Sequence, residues 1–265
     1  MIIPSLRKVL FHQLHKKKRF PGLMTDKKAV LSLIRSLKPF YTDKELIRLG
    51  PEQDGGYLVP NDLEGIQLLI SPGVDQESHF ELECAERGME VHLMDASVNG
   101  PSVAHPGFHF HPVFMGIGAN EWSLEYLIQS QNLEKIPGDW MLQMDIEGAE
   151  WETLIQVPQE MLNRFRILVI EFHDMDNLFN LPFFQIVKKV FDKLLSSHQV
   201  VHIHPNNFSQ PSDVLGITIP KYMEFTFLRK DRVLHKSPSL AFPHPLDRPC
   251  TAKQDYPLPE VWYRQ

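Results

Sequence analysis

Cysteine is scarce in this chain: two in 265 residues, Cys84 and Cys250, with no close partner for either. That usage excludes a thiolate zinc site and a disulfide framework, and it fits a reducing compartment. Long apolar runs are missing as well. No stretch approaches the roughly 20 residues that cross a bilayer, so no transmembrane segment is expected. Val9, Leu10 and Phe11 are too short a run for a signal peptide, and no small-residue cleavage site follows them. A cytoplasmic protein is the expectation. Excess positive charge is absent too. The formal net charge is −6, which argues against a dedicated nucleic-acid binder, because neutralising phosphates needs a basic surface. Basic residues gather only at the N-terminus, where Arg7, Lys8, Lys16, Lys17, Lys18 and Arg19 suit a solvated helix or a weak membrane-surface contact.

What is present is an ordinary globular composition, with 43% hydrophobic and 23% charged residues. Helical periodicity through Val30, Leu31, Leu33, Ile34 and Leu37 predicts a helix over residues 26–39. Strands and helices then alternate. Strands are predicted at 65–70, 91–94, 108–114, 140–144, 167–170, 200–203 and 224–228. Helices are predicted at 78–87, 122–130, from about 149, and from Leu181, where Pro182 suits a first turn. This alternation predicts an α/β fold with a mostly parallel sheet covered by helices on both faces. Prolines at 205, 211 and 220 leave no room for a crossover helix between the last two strands, which are therefore expected to be antiparallel neighbours. The expected organisation is an N-terminal helical extension over 1–44, one domain over 45–230, and a proline-rich tail over 231–265 packed on that domain.

The most informative stretch is 142–151, LQMDIEGAEW, an apolar run that stops at three acids, Asp145, Glu147 and Glu150. Carboxylates are costly to bury, so these face solvent, a ligand or a metal. In open α/β sheets ligands sit outside the carboxyl ends of the strands. Glu147 and Glu150 also suit the start of the next helix, where the dipole favours acids. Two further strand ends join them. Ser71-Pro72-Gly73-Val74 is a turn whose glycine permits close backbone approach, and Asp95 stands 22 residues beyond Gly73, where nucleoside cofactors use an acid to bind the ribose. A dinucleotide enzyme is expected to show G-x-G-x-x-G here. This turn has one glycine and carries Asp75, Glu77 and Glu81, which repel a diphosphate and tolerate a cationic nucleoside. An NAD-dependent sugar oxidoreductase and a non-catalytic protein with a degenerate fold remain the alternatives.

At this point the chain resembles the FkbM-type S-adenosylmethionine-dependent methyltransferases. The motifs are Arg48-x-Gly50 with Asp54-Gly55-Gly56-Tyr57, Ser71-x-Gly73-Val74 with Phe80-Glu81 and His92-x-Met94-Asp95, and Met144 to Trp151. His202-x-His204-x-Asn206-Asn207, followed by Pro220 and Glu224, is similar to one branch of the family. The resemblance covers about residues 45–230. It implies a class I, Rossmann-like, seven-stranded sheet with an antiparallel last strand. It also implies S-adenosylmethionine as cofactor, with contacts around Gly73, Asp95 and Asp145 that take in Gly56, Tyr57, Val74, Glu77, Phe80, Ala96 and Ser97. The family mainly methylates hydroxyls, so a small-molecule or glycan acceptor is implied. One departure stands out: the family's cofactor loop usually has a second glycine where this chain has Asp75.

Methyl transfer to a hydroxyl needs proximity, orientation and removal of the acceptor proton. His173, Asp145 or His202 is the candidate base. Alternatively a divalent metal (Mg²⁺, Mn²⁺ or Zn²⁺) on Asp145, Glu171, His173 and His204 acidifies the hydroxyl. His202 and His204 are two apart on a strand and so share a face. Trp151 is expected to pack rather than to stack on substrate.

Overall fold

A computed structural model describes residues 22–264; the basic N-terminal cluster lies outside them. Asp26 caps the first helix, α1 (Lys27–Ser36), its carboxylate accepting from the Lys28 N–H at 2.8 Å. The short β1 (Phe40–Thr42) and the hairpin of β2 (Leu46–Leu49) and β3 (Tyr57–Pro60) follow. The predicted alternation then appears in order: β4 (Ile66–Pro72), α2 (His79–Glu86), β5 (Glu90–Met94), β6 (Phe108–His111), α3 (Leu124–Ser130) and β7 (Asp139–Met144). It continues through α4 (Glu150–Gln156), the short α5 (Gln159–Leu162), β8 (Phe165–Phe172), α6 (Leu181–Ser197) and β9 (His198–Pro205). A small hairpin, β10 (Ser212–Val214) and β11 (Ile217–Ile219), precedes β12 (Met223–Arg229), and β13 (Lys236–Pro238) pairs with β1.

Seven strands form one sheet in the order β6-β5-β4-β7-β8-β12-β9. Neighbours run parallel except β12, which is antiparallel to both β8 and β9. The expected seven-stranded, mostly parallel sheet with an antiparallel last strand is therefore present. The hairpins around it were not anticipated, because strands of three or four residues are too short to show a period. The predicted third strand is also shorter than expected, ending at His111.

One face of the sheet is covered by α1, α3, α4 and α6, with Trp140, Phe172, Phe191 and Phe225 in the core between. The other face is covered by α2 and the β2–β3 hairpin. Trp262, near the C-terminus, is fully buried in the first core, and α1 packs there too. At the amino end of the sheet charges are paired: Asp139 is bridged by Arg166 and Arg229, each at 2.7 Å. Burial works to raise the Asp139 pKa, but the two guanidiniums win and hold it below its ordinary value. Among the described residues no Lys or Arg bridges Asp95, Asp145 or Glu147 at the carboxyl end, and these acids need another explanation.

Candidate active site at the carboxyl ends of the strands

The turn after β4 and the turn after β7 touch. Asp145 donates its N–H to the Pro72 carbonyl at 3.2 Å, and Gly73 donates to the Met94 carbonyl at 2.9 Å. Gly73 has φ +85°, and a Cβ there would stand 1.5 Å from the Asp145 carbonyl oxygen. Glycine is thus required both for its backbone angle and for the close approach of two chain segments. This contact opens a cavity of 580 Å³ across the ends of β4, β5 and β7.

The lining of that cavity is one-sided in charge. It holds Asp54, Asp75, Glu77, Glu81, Asp95, Glu121, Asp145 and Glu147 and, among the described residues, no Lys, Arg or His. Phe114, Met115, Met94 and Ile146 supply an apolar wall. Asp75 takes φ +46°, the left-handed conformation a glycine would adopt there. Aspartate tolerates that region better than most residues, and its N–H donates to Asp95 Oδ2 at 2.9 Å. Asp75 therefore leaves a loop of the glycine type. Asp95 Oδ1 accepts from the Ser97 N–H at 2.7 Å and from Ser97 Oγ at 2.6 Å.

The floor of the cavity is a buried polar chain. Ser71 Oγ lies 2.5 Å from Glu81 Oε1 and 2.6 Å from Gln143 Oε1, and Gln143 donates to Tyr57 Oη at 3.2 Å. One hydroxyl hydrogen cannot serve two acceptors. Burial raises Glu81 to about 7, and its protonated form completes the chain by donating to Ser71.

Other expected cofactor residues fall around this cavity in different ways. Val74, Glu77 and Ser97 line it; Ala96 is exposed beside it. Phe80 is buried edge-on to Tyr57, with ring centroids 5.4 Å apart, and does not line it. Gly56 serves the loop. A Cβ there would meet the Pro51 carbonyl oxygen at 2.0 Å and the Arg48 guanidinium at 2.6 Å. Arg48 in turn donates to the Pro51 and Gln53 carbonyls. The Arg48 and double-glycine motif thus folds a tight loop that carries Asp54 and Tyr57 over the cavity.

The three acids of the 142–151 segment separate. Glu150 begins α4, is fully buried, and accepts from the Ile146 and Gly148 N–H groups at 3.0 and 3.2 Å. Glu147 takes φ +56° and its side chain is 89% exposed. Asp145 lies between, with a buried Oδ1 that has no hydrogen-bond partner. His173 follows β8 and joins all three: Nε2 is 3.8 Å from Asp145 and 3.4 Å from Glu147, and Nδ1 is 3.0 Å from Glu150. Burial works to lower the His173 pKa, but Glu150, Asp145 and Glu147 outweigh it and raise it to about 9. Burial first, then the other acids, raises Asp145 to about 8 against the pull of His173. The two shifts oppose each other. With three carboxyls around one imidazole, the geometry favours a cationic His173 and a partly protonated acid set. Trp151 is buried, stacks on Phe172 at 4.5 Å and donates to the His173 carbonyl at 3.0 Å, so it packs as expected.

The proposed metal set does not gather around one point. Asp145 and His173 meet, whereas Glu171 accepts from Asn206 Nδ2 at 3.0 Å and His204 Nδ1 lies 3.2 Å from Glu224. The antiparallel register explains the split: Glu171, Glu224 and His204 are successive partners across β8, β12 and β9. His202 is paired with Asp247 at 2.8 Å, in a separate environment. Glu224 was singled out in the sequence without a role in the site, and Asp247 escaped altogether; it and Cys250 lie in a proline-rich segment without period. His92, His109 and His111 stack across β5 and β6 and make a side-chain ladder there.

No protein-family model and no curated protein matches the chain. Among solved structures, "A putative sam-dependent methyltransferase from Streptococcus mutans" is similar over 63% of this chain and 45% of that one, with 10% identity and a TM-score of 0.35. The chain thus spans less than half of that structure's length. The chemistry of the site rests on its own residues.

Proposed function

We propose that this chain is an S-adenosylmethionine-dependent methyltransferase acting on a hydroxyl of a sugar, glycan or other small acceptor. The observation that carries this reading is the cavity lining. Eight acids, with no base beside them among the described residues, suit a sulfonium and an ammonium group and repel the diphosphate of a dinucleotide. The volume of 580 Å³ is in the range that takes a ligand of this size. Gly73 leaves the backbone open where the cofactor would approach, and Asp145 offers an unpartnered oxygen.

Asp95 is the ribose residue in this reading. Of about four lone-pair sites on its carboxylate, three are already used by Asp75 and Ser97. One ribose hydroxyl binds directly to Oδ2, and a second binds once the Ser97 hydroxyl rotates away. The adenine would lie against Phe114, Met115 and Ile146. When bound, the cofactor supplies an activated methyl group for in-line displacement. The protein's part is to hold the acceptor at Asp145, take its proton and exclude water. Asp145 is the better base than His173, because it is raised only to about 8 against about 9 for His173 and so gives up its proton first as pH rises. A divalent cation on Asp145, Glu147 and His173, whose donor atoms lie within 4.8 Å of one another, is the second reading. It would acidify the acceptor hydroxyl and is favoured by the orphaned Asp145 Oδ1.

Calorimetry with S-adenosylhomocysteine tests the proposal. Binding is expected, with Asp95→Ala weakening it by about 1–3 kcal/mol. Folded protein that ignores this ligand and binds NAD instead would overturn it. Chelator treatment separates the two chemistries: only the metal reading loses turnover.

A further inference from the structure

A second cluster of reactive side chains lies away from the cavity, where the C-terminal segment crosses the sheet. His204 on β9 and Glu224 on β12 are register partners, and Cys250 arrives from the segment above them. All three are buried. Cys250 Sγ is 3.2 Å from Glu224 Oε1 and 3.9 Å from His204 Nδ1, and His204 Nδ1 is 3.2 Å from Glu224 Oε2. Tetrahedral ligands at zinc bond lengths of about 2.0–2.3 Å stand roughly 3.4–3.6 Å apart. Glu224 meets the sulfur and the imidazole through different oxygens, and one donor atom from each of the three residues can be chosen so that all lie within 4.8 Å of one another, close to that spacing.

The charge balance points the same way. Glu171 is the register partner of Glu224, and both are buried. Among the described residues no Lys or Arg pairs with either, and Asn206 and His204 are their polar partners. His204 also lines a 270 Å³ cavity under the C-terminal segment, with Asp247 and Asp255. That cavity has room for a water as fourth ligand.

We propose that His204, Glu224 and Cys250 bind a zinc-class divalent cation, which fastens the C-terminal segment to the sheet. Binding forms three bonds, one each from an imidazole nitrogen, a carboxylate oxygen and the sulfur. Cys250 gives its thiol proton to solvent, and the resulting thiolate and the carboxylate neutralise the ion. This departs from the expectation that scarce cysteine excludes a thiolate zinc site, because a mixed set needs only one thiolate. The site stands independently of methyl transfer, since none of its ligands lines the acidic cavity.

Cobalt(II) added to the full chain is the test, because a thiolate ligand produces a sulfur-to-cobalt charge-transfer band that carboxylate and histidine sites lack. The band is expected in the wild type and in Cys84→Ser, and zinc should abolish it by competition. It should vanish in Cys250→Ser, while S-adenosylhomocysteine affinity stays unchanged in the same sample. His204→Gln, which keeps the thiol, should weaken cobalt binding at least tenfold. Absence of the band in the folded wild type, its loss in Cys84→Ser, or its survival in Cys250→Ser would each overturn the site.

Discussion

Gly73 is the residue on which most depends. Any side chain there strikes the Asp145 carbonyl and also has to adopt φ +85°. Gly73→Ala should destabilise the protein by about 3 kcal/mol or more and abolish cofactor binding, which a thermal melt and a titration would read. Asp145 sets a pH signature. A base must be ionised to accept a proton, and this carboxyl is raised to about 8. The rate kcat/KM should therefore climb as pH rises through about 8 and then level. Asp145→Asn should lower it by about 100-fold or more and flatten that limb. A rate falling over the same range would contradict the assignment. At this scale Gly73, Asp95 and Asp145 were legible in the sequence because each ends a predicted strand. The partners of His202 and His204 were not, because Asp247 and Cys250 lie more than forty residues further along, a separation no local pattern spans.

At the scale of elements, the long strands and α6 declared themselves through apolar runs and helical spacing. The β2–β3 hairpin did not, although its Asp54-Gly55-Gly56-Tyr57 loop stood out, since a loop motif does not reveal what its flanks pair with. The proline-rich C-terminal segment shows no period and was expected as a tail packed on the domain. Trp262 packs against Phe225 and donates its indole N–H to the Thr218 carbonyl at 3.2 Å. Trp262→Ala should cost about 3–5 kcal/mol, read as a shift in the denaturation midpoint. A loss below about 1 kcal/mol would show that the segment is only draped on the domain.

For the molecule as a whole, the buried acids dictate how stability varies with pH. Glu81, Asp145 and His173 all have folded pKa values above their ordinary ones, at about 7, 8 and 9. Each is more protonated folded than unfolded, so the stability it contributes is full below its unfolded value and is lost as pH rises through the folded one. Below about 6.5 the opposite slope comes from His198 and His111. Burial lowers both to about 4, and the unfolded chain protonates them first. Between about pH 4.5 and 6.5 that slope offsets the one from Glu81 and Asp145, so the melting temperature should change little there and then fall by pH 9, with a shallower fall in Asp145→Asn. A melting temperature rising steadily to pH 9 would remove the buried-acid account.

The antiparallel strand β12 sits between β8 and β9 in the sheet but follows both in the chain. Its position means that spatial order and order of synthesis disagree. β9 leaves the ribosome before β12, its one strand partner among the described residues, exists, and β8 must wait with one edge open until β12 slides in beside it. Such an edge is a template for wrong partners. The strand that completes the sheet also carries Glu224, so the last stretch of sheet to be made is the one that closes the gap and delivers an acid into it.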